Sequence, residues 1–301
     1  MRTTPSNKVI SLSNKLAGRT RADSKKKNKS HNPDMRVIAI TSGKGGVGKT
    51  NIVANLGYTL SKLGKRVLIL DADLGLGNLD VLLGLTPKYN LSHVIKGSKT
   101  IPSIIIEGPG NMKILPASSG IQELTKLTKD QKIGILSDLD SLSESIDILL
   151  IDTAAGISSN VMYFNVSAQE IMVVITPEPT SITDAYALMK VLSVKYSERS
   201  FKLLVNLAAN SGEAYDVYRQ LSVVTDKFLD ISIEYIGCIL FDKNVTKGVR
   251  AQKVVSDIYP DTKASRCFIS LAKKICASQA HTIPNGGTSF FWEQLLSDRL
   301  E

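Results

Sequence analysis

The stretch TSGKGGVGKTN, residues 41–51, decides the fold of this chain of 301 residues. Within it, residues 43–50 match the phosphate-binding pattern G-x-x-x-x-G-K-[ST]. The apolar run at residues 37–40 predicts a strand before the match, and the segment after it predicts a helix. In that context the glycines turn backbone N–H groups toward phosphate oxygens, and the helix N-terminus adds partial positive charge. The stretch therefore predicts a strand, a phosphate-binding loop (P-loop) and a helix in succession.

Beyond residue 35 the chain alternates apolar runs with helix-length segments. The runs are rich in Ile, Val and Leu without polar alternation, which is typical of strands buried on both faces of a parallel sheet. They read RVIAI, KRVLILDAD, NMKILPA, DILLID, EIMVVITP, FKLLVNL and EYIGCIL. Helices are predicted at residues 51–63, 121–143, 181–196 and 213–228. The pattern predicts an α/β fold of the P-loop NTPase type, with a doubly wound, mainly parallel sheet flanked by helices. Ligands of such sheets bind at the carboxyl ends of the strands.

Three aspartates follow predicted strands near the P-loop. Asp152 ends the run ILLID, and a charge at the end of a buried strand is explained if it holds a hydrated cation. We therefore predict that Thr50 and Asp152 hold Mg²⁺ and that Lys49 contacts the nucleotide phosphates. The run VLILDADLGLGNLD contains Asp71 and Asp73 at the end of a predicted strand, and the two are not expected to share one role. One of them is expected to cap the loop and the other to orient an attacking water.

The formal net charge of +9 is concentrated at the N-terminus. Residues 1–34 carry nine Lys or Arg against two Asp, so the remainder of the chain carries only +2. This balance gives no sign of a broad DNA-binding face in the sequence, although a patch can still assemble in three dimensions. We predict a flexible basic tail at residues 1–34, a P-loop domain at residues 35–281 and an amphipathic segment at residues 282–301. Residues 9–22 of the tail are interpreted either as a partner-held helix or as part of a solvated leader.

The C-terminal stretch SFFWEQLLSDRL, residues 289–300, is amphipathic and rich in aromatic residues. Such a segment either lies in a bilayer interface or packs on its own domain, and the sequence leaves both open. No window approaches the ~18 apolar residues of a membrane span, and the N-terminus lacks the apolar part of a secretory signal. We predict a cytoplasmic protein, and ATP-dependent peripheral association with the inner face of the membrane is one of the two interpretations of this segment. Three scattered cysteines and three histidines show no zinc spacing.

The loop SGKGGVGKT carries Lys44 in addition to Lys49. With this second lysine it resembles the deviant Walker A signature of the MinD/ParA ATPases, and DADLGLGN and DTAAG resemble that family's switch I and switch II. The stretches EPTSITDAYAL, FLDISIEYIGCILFD, YPDTKAS and SFFWEQLL are similar to the FlhG (FleN) branch of MinD-like flagellar number regulators. DTAAG in place of the more general DTPAG also resembles that branch. The resemblance covers residues 35–300.

The resemblance assigns roles to single positions. Lys44 matches the lysine that contacts the nucleotide of the opposite subunit, and Asp73 matches the aspartate that positions the water. Asn78 matches an asparagine at the dimer interface, and Asn206 matches the one that recognises adenine. Leu240 stands where MinD proteins usually carry a proline near the base. The predicted catalytic residues are therefore Lys44, Asp73 and Lys49, and the predicted metal ligands are Thr50 and Asp152. The predicted nucleotide-binding residues are Gly43, Lys44, Gly45, Gly46, Val47, Gly48, Lys49, Thr50, Asn51, Asn78, Asn206 and Leu240.

The resemblance also implies an activity and its partners. ATP and Mg²⁺ are the implied cofactors, and hydrolysis of ATP is expected to be slow and to require a homodimer. The family's partners include an FlhF-like GTPase, a flagellar transcription regulator and flagellar switch proteins. Two other functions remain open, namely a ParA-type DNA-segregation or other positioning ATPase and an ATP-binding adaptor with little hydrolysis. Iron–sulfur carriers of the same superfamily need placed cysteine pairs, and Cys238, Cys267 and Cys276 do not supply them.

Overall fold

The computed structural model describes residues 35–117 and 142–278, together with positions 128, 131, 134, 135, 138 and 139. The basic tail, the terminal stretch at residues 289–300 and most of the predicted helix at residues 121–143 lie outside the described residues. Within the described part, no helix is long and apolar enough to cross a membrane.

Eight strands form one sheet in the order β3-β4-β2-β5-β1-β6-β7-β8. The strands are β1 (Arg36–Ser42), β2 (Val67–Ala72), β3 (Ile106–Glu107), β4 (Lys113–Leu115), β5 (Ile148–Ala155), β6 (Glu170–Ile175), β7 (Ser200–Ala208) and β8 (Ser232–Leu240). All pairs are parallel except β3 with β4. The seven strands predicted from apolar runs are all present. The two-residue β3 was not predicted, because it is too short to show an apolar pattern and joins β4 through a turn at Pro109–Asn111.

The helices flank the sheet on both faces. They are α1 (Lys49–Lys62), α2 (Leu79–Leu82), α3 (Leu91–Ile95), α4 (Ile101–Ile104), α5 (Ser159–Val166), α6 (Pro179–Tyr196), α7 (Ser211–Phe228), α8 (Lys243–Arg250), α9 (Val255–Ile258) and α10 (Lys263–Ala277). The helices predicted at residues 51–63, 181–196 and 213–228 are thus present as α1, α6 and α7, each starting two residues earlier. The predicted doubly wound α/β fold is confirmed.

Side chains of the central strands alternate between two apolar layers. On one face, Ile38 and Ile40 of β1 join a buried cluster with residues of α1 and α10. On the other face, Val37 and Ala39 join a second cluster that includes residues of α5. A third cluster on that face packs α6 and α7 against β6 and β7. Because both faces are covered, the carboxyl edge of the sheet is the place where polar side chains of the strands reach solvent, and the P-loop lies there.

Candidate functional site

The P-loop connects β1 to α1 and is shaped by glycines at defined positions. Gly46 and Gly48 have φ angles of 79° and 92°, a region that favours glycine. A Cβ on Gly43 would lie 2.1 Å from the backbone oxygen of Asp184, so only glycine lets the loop approach α6 this closely. Gly45 is exposed, whereas Val47 is buried and anchors the loop in the core below α1. The loop is therefore held by packing on both sides, with its N–H groups at the N-terminus of a 14-residue helix.

Lys49 turns back over the P-loop and lies largely buried. Its Nζ donates a hydrogen bond to Ser42 Oγ at 2.8 Å, and Ser42 Oγ in turn donates to the backbone oxygen of Lys44 at 2.7 Å. Burial lowers the pKa of Lys49, while the carboxylates of Asp152 and Asp73 oppose that shift. The ammonium group is thus positioned inside the loop beside two acidic side chains. Ser42 was not predicted as a site residue, although it directly precedes the motif.

Asp152 lies in β5, directly opposite Asp71 of β2 and Ile40 of β1 in the strand register. Its carboxyl accepts a hydrogen bond from the Thr50 side chain, and its Oδ1 is buried without a hydrogen-bond partner in the described part of the chain. Burial raises the pKa of Asp152 to about 7, against the opposing effects of Thr50 and Lys49. A buried, unpartnered carboxylate oxygen beside a threonine hydroxyl suits one face of a Mg²⁺ ion that takes its other ligands from phosphate and water. The residues therefore fit the metal that the P-loop implies.

Asp71 and Asp73 differ in burial, because Asp71 belongs to β2 whereas Asp73 lies in the loop that follows the end of β2 at Ala72. Asp71 is 2% exposed and accepts hydrogen bonds from the backbone N–H groups of Asp73 and Leu79, at 3.2 and 3.4 Å. Burial, and next the charge of Asp152, raise the pKa of Asp71 well above its ordinary value. A Cβ on Gly77 would lie 2.7 Å from Asp71 Oδ2, so the loop after β2 closes over this carboxyl. Asp71 thus anchors the loop.

Asp73 is half-buried in the loop that Asp71 anchors, and it interacts electrostatically with both Lys49 and Asp152. Its Oδ1 accepts a hydrogen bond from the N–H of Leu76 at 3.2 Å. The predicted switch I residue Asn78 is exposed and is the N-cap residue of α2. Asp73 therefore lies at the phosphate end of the site, whereas Asn78 lies at the surface.

Lys44 has surroundings unlike those of Lys49. Its Nζ donates hydrogen bonds to Glu178 Oε2 and, at 2.8 Å, to Thr180 Oγ1, and the side chain is 34% exposed. Glu178 is the N-cap residue of α6, and its side chain makes no cap hydrogen bond to that helix. Glu178 and Thr180 were not predicted as site residues. Their stretch, EPTSITDAYAL, was singled out only for its resemblance to the family. Nothing in the sequence indicates that it contacts the P-loop, because Lys44 and Glu178 are 134 residues apart.

Asn206 and Leu240 lie at the carboxyl ends of the neighbouring strands β7 and β8. The Nδ2 of Asn206 donates to the backbone oxygen of Val47 at 2.7 Å, and a Cβ on Gly48 would lie 2.5 Å from that Nδ2. The strand has a bulge between Asn206 and Ala208, where Leu207 has a φ of 59°. Such a bulge bends the end of the strand. Leu240 is half-buried on the α7 side of the sheet. Asn206 therefore fastens the P-loop directly, and its role toward adenine stays a prediction.

Asn51 follows the motif in the first turn of α1, where its backbone and side-chain oxygens accept hydrogen bonds from the Nδ2 of Asn55, at 2.9 and 3.3 Å. The structure thus brings Lys49, Thr50, Asp73 and Asp152 together, places Lys44 beside them on the surface and ties Asn206 to the loop. This arrangement can bind a nucleotide phosphate chain with a divalent cation and hold a carboxylate near the terminal phosphate.

Comparison with known proteins agrees with this geometry. A family model described as an AAA domain matches residues 35–203. The Antiactivator FleN of Pseudomonas aeruginosa is 44% identical over 262 residues, covering 87% of this chain and 94% of that protein. The Flagellum site-determining protein YlxH of Helicobacter pylori is 34% identical and covers 87% and 90%, respectively.

Solved structures show the same architecture. The septum site-determining protein MinD of Pyrococcus horikoshii, complexed with Mg-ADP, superposes with a TM-score of 0.68 at 26% identity. The match covers 80% of this chain and 96% of that one. The MinC:MinD cell division protein complex of Aquifex aeolicus gives a TM-score of 0.66 at 28% identity, covering 81% and 96%. The chain belongs to the MinD/ParA family of P-loop ATPases, in the branch that contains FleN.

Proposed function

We propose that this protein is an ATPase whose ATP-bound form dimerises, and that the cycle of dimerisation and hydrolysis regulates flagellar number and placement. The observation that carries the proposal is that the two lysines of one loop differ in burial and in their hydrogen-bond partners. Lys49 is buried in its own P-loop, whereas the Lys44 side chain lies at the surface, where its ammonium group donates to Glu178 and Thr180 among the described residues. A buried lysine serves the chain's own nucleotide, and an exposed one is available to the nucleotide of a second copy.

The chain's own residues support ATP binding and charge stabilisation. The loop N–H groups and Lys49 would surround the phosphates, and Thr50 and Asp152 would hold Mg²⁺. The cation, when bound, neutralises charge on the terminal phosphates. Because the site is preformed and Lys49 is already desolvated, little reorganisation is required when negative charge develops on the transferring phosphoryl group.

Asp73 is proposed to align the attacking water. Its carboxylate lies near Lys49 and Asp152, and the backbone around it is fixed by the buried carboxyl of Asp71. A carboxylate held in this way orients a water without needing to move itself. The short loop that carries Asp73 ends at α2, and we propose that a change at the phosphates reaches the surface around Asn78 through this loop.

Lys44 is proposed to complete the site of a second subunit. Its pair with Glu178 is solvent-exposed, and exposed ion pairs of this kind contribute about 0–1 kcal/mol. Replacing Glu178 by a nucleotide phosphate as the partner of Lys44 therefore requires little free energy. If both subunits donate Lys44, ATP stabilises the dimer and the dimer stabilises bound ATP by the same free energy.

The biological setting is proposed from the relatives. One is named an antiactivator and another a flagellum site-determining protein. We place this chain in the cytoplasm with ATP-dependent peripheral association with the membrane. Its proposed partners are a transcription regulator, an FlhF-like GTPase and flagellar switch proteins.

Phosphate release measured against protein concentration tests the proposal. A dimer-dependent ATPase gives a specific activity that rises with concentration until dimerisation is complete. ATP binding without phosphate release at every concentration, with and without lipid vesicles, would instead favour an ATP-binding adaptor.

A further inference from the structure

A basic face on α8 is not used by the ATPase site. Lys243, Lys247, Arg250 and Lys253 are all exposed, and the sequence from residue 243 to residue 256 contains no acidic residue. The first three follow a spacing of four and three residues, which places them on one face of a helix in a stripe of about 10 Å. In the part of the chain that the structure describes, none of the four forms a salt bridge. These cations therefore have no acidic partner among the described residues.

This face is rigid before any partner binds. Asp242 caps α8 by accepting the N–H of Asn244 at 2.9 Å, and it also accepts the N–H of Ala264 at the start of α10, at 3.3 Å. On the inner side, Val245 packs against the apolar cluster of α1 and α10. A Cβ on Gly248 would lie 2.9 Å from the backbone oxygen of Lys253, so α8 fits closely on the segment that follows it.

The segment after α8 is hydrogen-bonded to α2, the helix that follows the Asp73 loop of the ATPase site. Gln252, at φ 53°, donates from Nε2 to the backbone oxygen of Val81 in α2 at 2.8 Å. α2 begins directly after the loop that carries Asp73. A preorganised face loses little conformational freedom on binding, which is the condition under which a few charges give useful affinity.

We propose that this α8 face docks an acidic segment of a partner protein, with carboxylates spaced to meet Lys243, Lys247 and Arg250. An apolar residue of the segment would cover Phe241, which precedes α8 and is 56% exposed. Exposed aromatic and arginine side chains are both enriched at protein interfaces.

The charge balance favours a protein segment over DNA. The four cations supply +4, whereas the chain from residue 35 onward carries only +2 in total, so its other residues are net negative. A DNA duplex gains affinity from cations spread along its length, and a body with so small a net charge supplies few of them beyond this face. A short acidic segment senses only the local charges, because the Debye length is about 8 Å at physiological ionic strength.

The test uses the full chain and a fluorescently labelled helical peptide of about four turns, with glutamates on one face and leucines between them. Binding is measured by anisotropy against the same peptide with glutamine in place of glutamate. The variant Lys243→Glu, Lys247→Glu, Arg250→Glu should bind the acidic peptide about tenfold more weakly or worse. The glutamine peptide should bind wild type weakly, with no difference between variants.

A matched control changes two lysines and one arginine on other helices, namely Lys190→Glu, Arg219→Glu and Lys273→Glu, which are also exposed. The basic tail is present in every protein, so it cancels in the comparison. Replacing the three α8 cations by glutamine, which adds no repulsion, should give an intermediate loss. Equal loss in the α8 and control variants, or no loss in either, overturns the proposal. Tighter α8-dependent binding of duplex DNA than of the peptide overturns the assignment of the partner's class.

Discussion

Replacing Asp152 with asparagine is expected to stabilise the nucleotide-free chain while removing its response to Mg²⁺. Burial is the main cause that raises the pKa of Asp152 from its ordinary value of 3.8 to about 7. Such a carboxyl opposes folding above pH 7 by roughly 4 kcal/mol, because its charged form is less stable in the folded chain than in the unfolded one. Asparagine has nearly the same shape and no charge, so the variant avoids most of this cost.

The pH dependence of this effect has a definite sign. The folded chain holds the Asp152 proton more tightly than the unfolded chain does, so the free energy of unfolding falls as the pH rises from about 4 to about 7. The stability gained by Asp152→Asn should therefore be small at about pH 4 and reach a few kcal/mol at about pH 8. The substitution also relieves Asp71, whose pKa is raised in part by the charge on Asp152.

Urea unfolding in the presence of a chelator, followed across this pH range, measures the difference. Asp147→Asn is the control, because a hydrogen bond from Arg66 lowers the pKa of Asp147 and its loss should destabilise the chain at neutral pH. With Mg²⁺ and ATP, wild type should gain stability and Asp152→Asn should gain little. A variant no more stable than wild type at about pH 8 without metal would show that the charge on Asp152 does not destabilise the folded chain.

Three further predictions concern other side chains of the site. Asp73→Ala should retain ATP binding and lower phosphate release by about a hundredfold or more, leaving a long-lived dimer in gel filtration; unchanged release excludes Asp73 as the water-orienting group. Asn206→Ala should destabilise the chain by about 1 kcal/mol through loss of the bond to Val47, seen by urea unfolding. If Asn206 also recognises adenine, the variant's preference for ATP over GTP in a binding assay should fall, and an unchanged preference removes that role. Glu178→Gln should release Lys44 and tighten ATP-dependent dimerisation by at most about fivefold in sedimentation experiments; a weaker dimer shows that Glu178 supports the interface instead.

The sheet and the phosphate end of the site were predictable because their signals are local. Apolar runs identify strands buried on both faces, and aspartates at strand ends must meet at one edge of a parallel sheet. Lys49, Thr50 and Asp152 were placed in this way. The anchoring of the loop by Asp71 was anticipated only as one of two choices, since the sequence shows both aspartates but not which one is buried.

Other features depend on contacts between distant segments. The bond of Lys44 with Glu178 joins residues 134 positions apart, and the bond of Asn206 with Val47 joins residues 159 apart. The basic face of α8 is not apparent from the net charge of +2 beyond the tail, because that sum combines its cations with acidic residues elsewhere. Charge totals carry no information about which residues share a helix face, and the fold supplies it.

Sedimentation of Lys44→Ala, combined with Asp73→Ala to prevent turnover, tests whether Lys44 serves the nucleotide of a second subunit. Asp73→Ala alone should dimerise when ATP and Mg²⁺ are added. The double variant should stay monomeric while binding ATP with nearly the affinity of the monomeric chain, because the Lys44 side chain bonds to Glu178 and Thr180 rather than turning into its own P-loop. A double variant that dimerises as readily as Asp73→Ala alone would contradict the role of Lys44 in a second subunit's site.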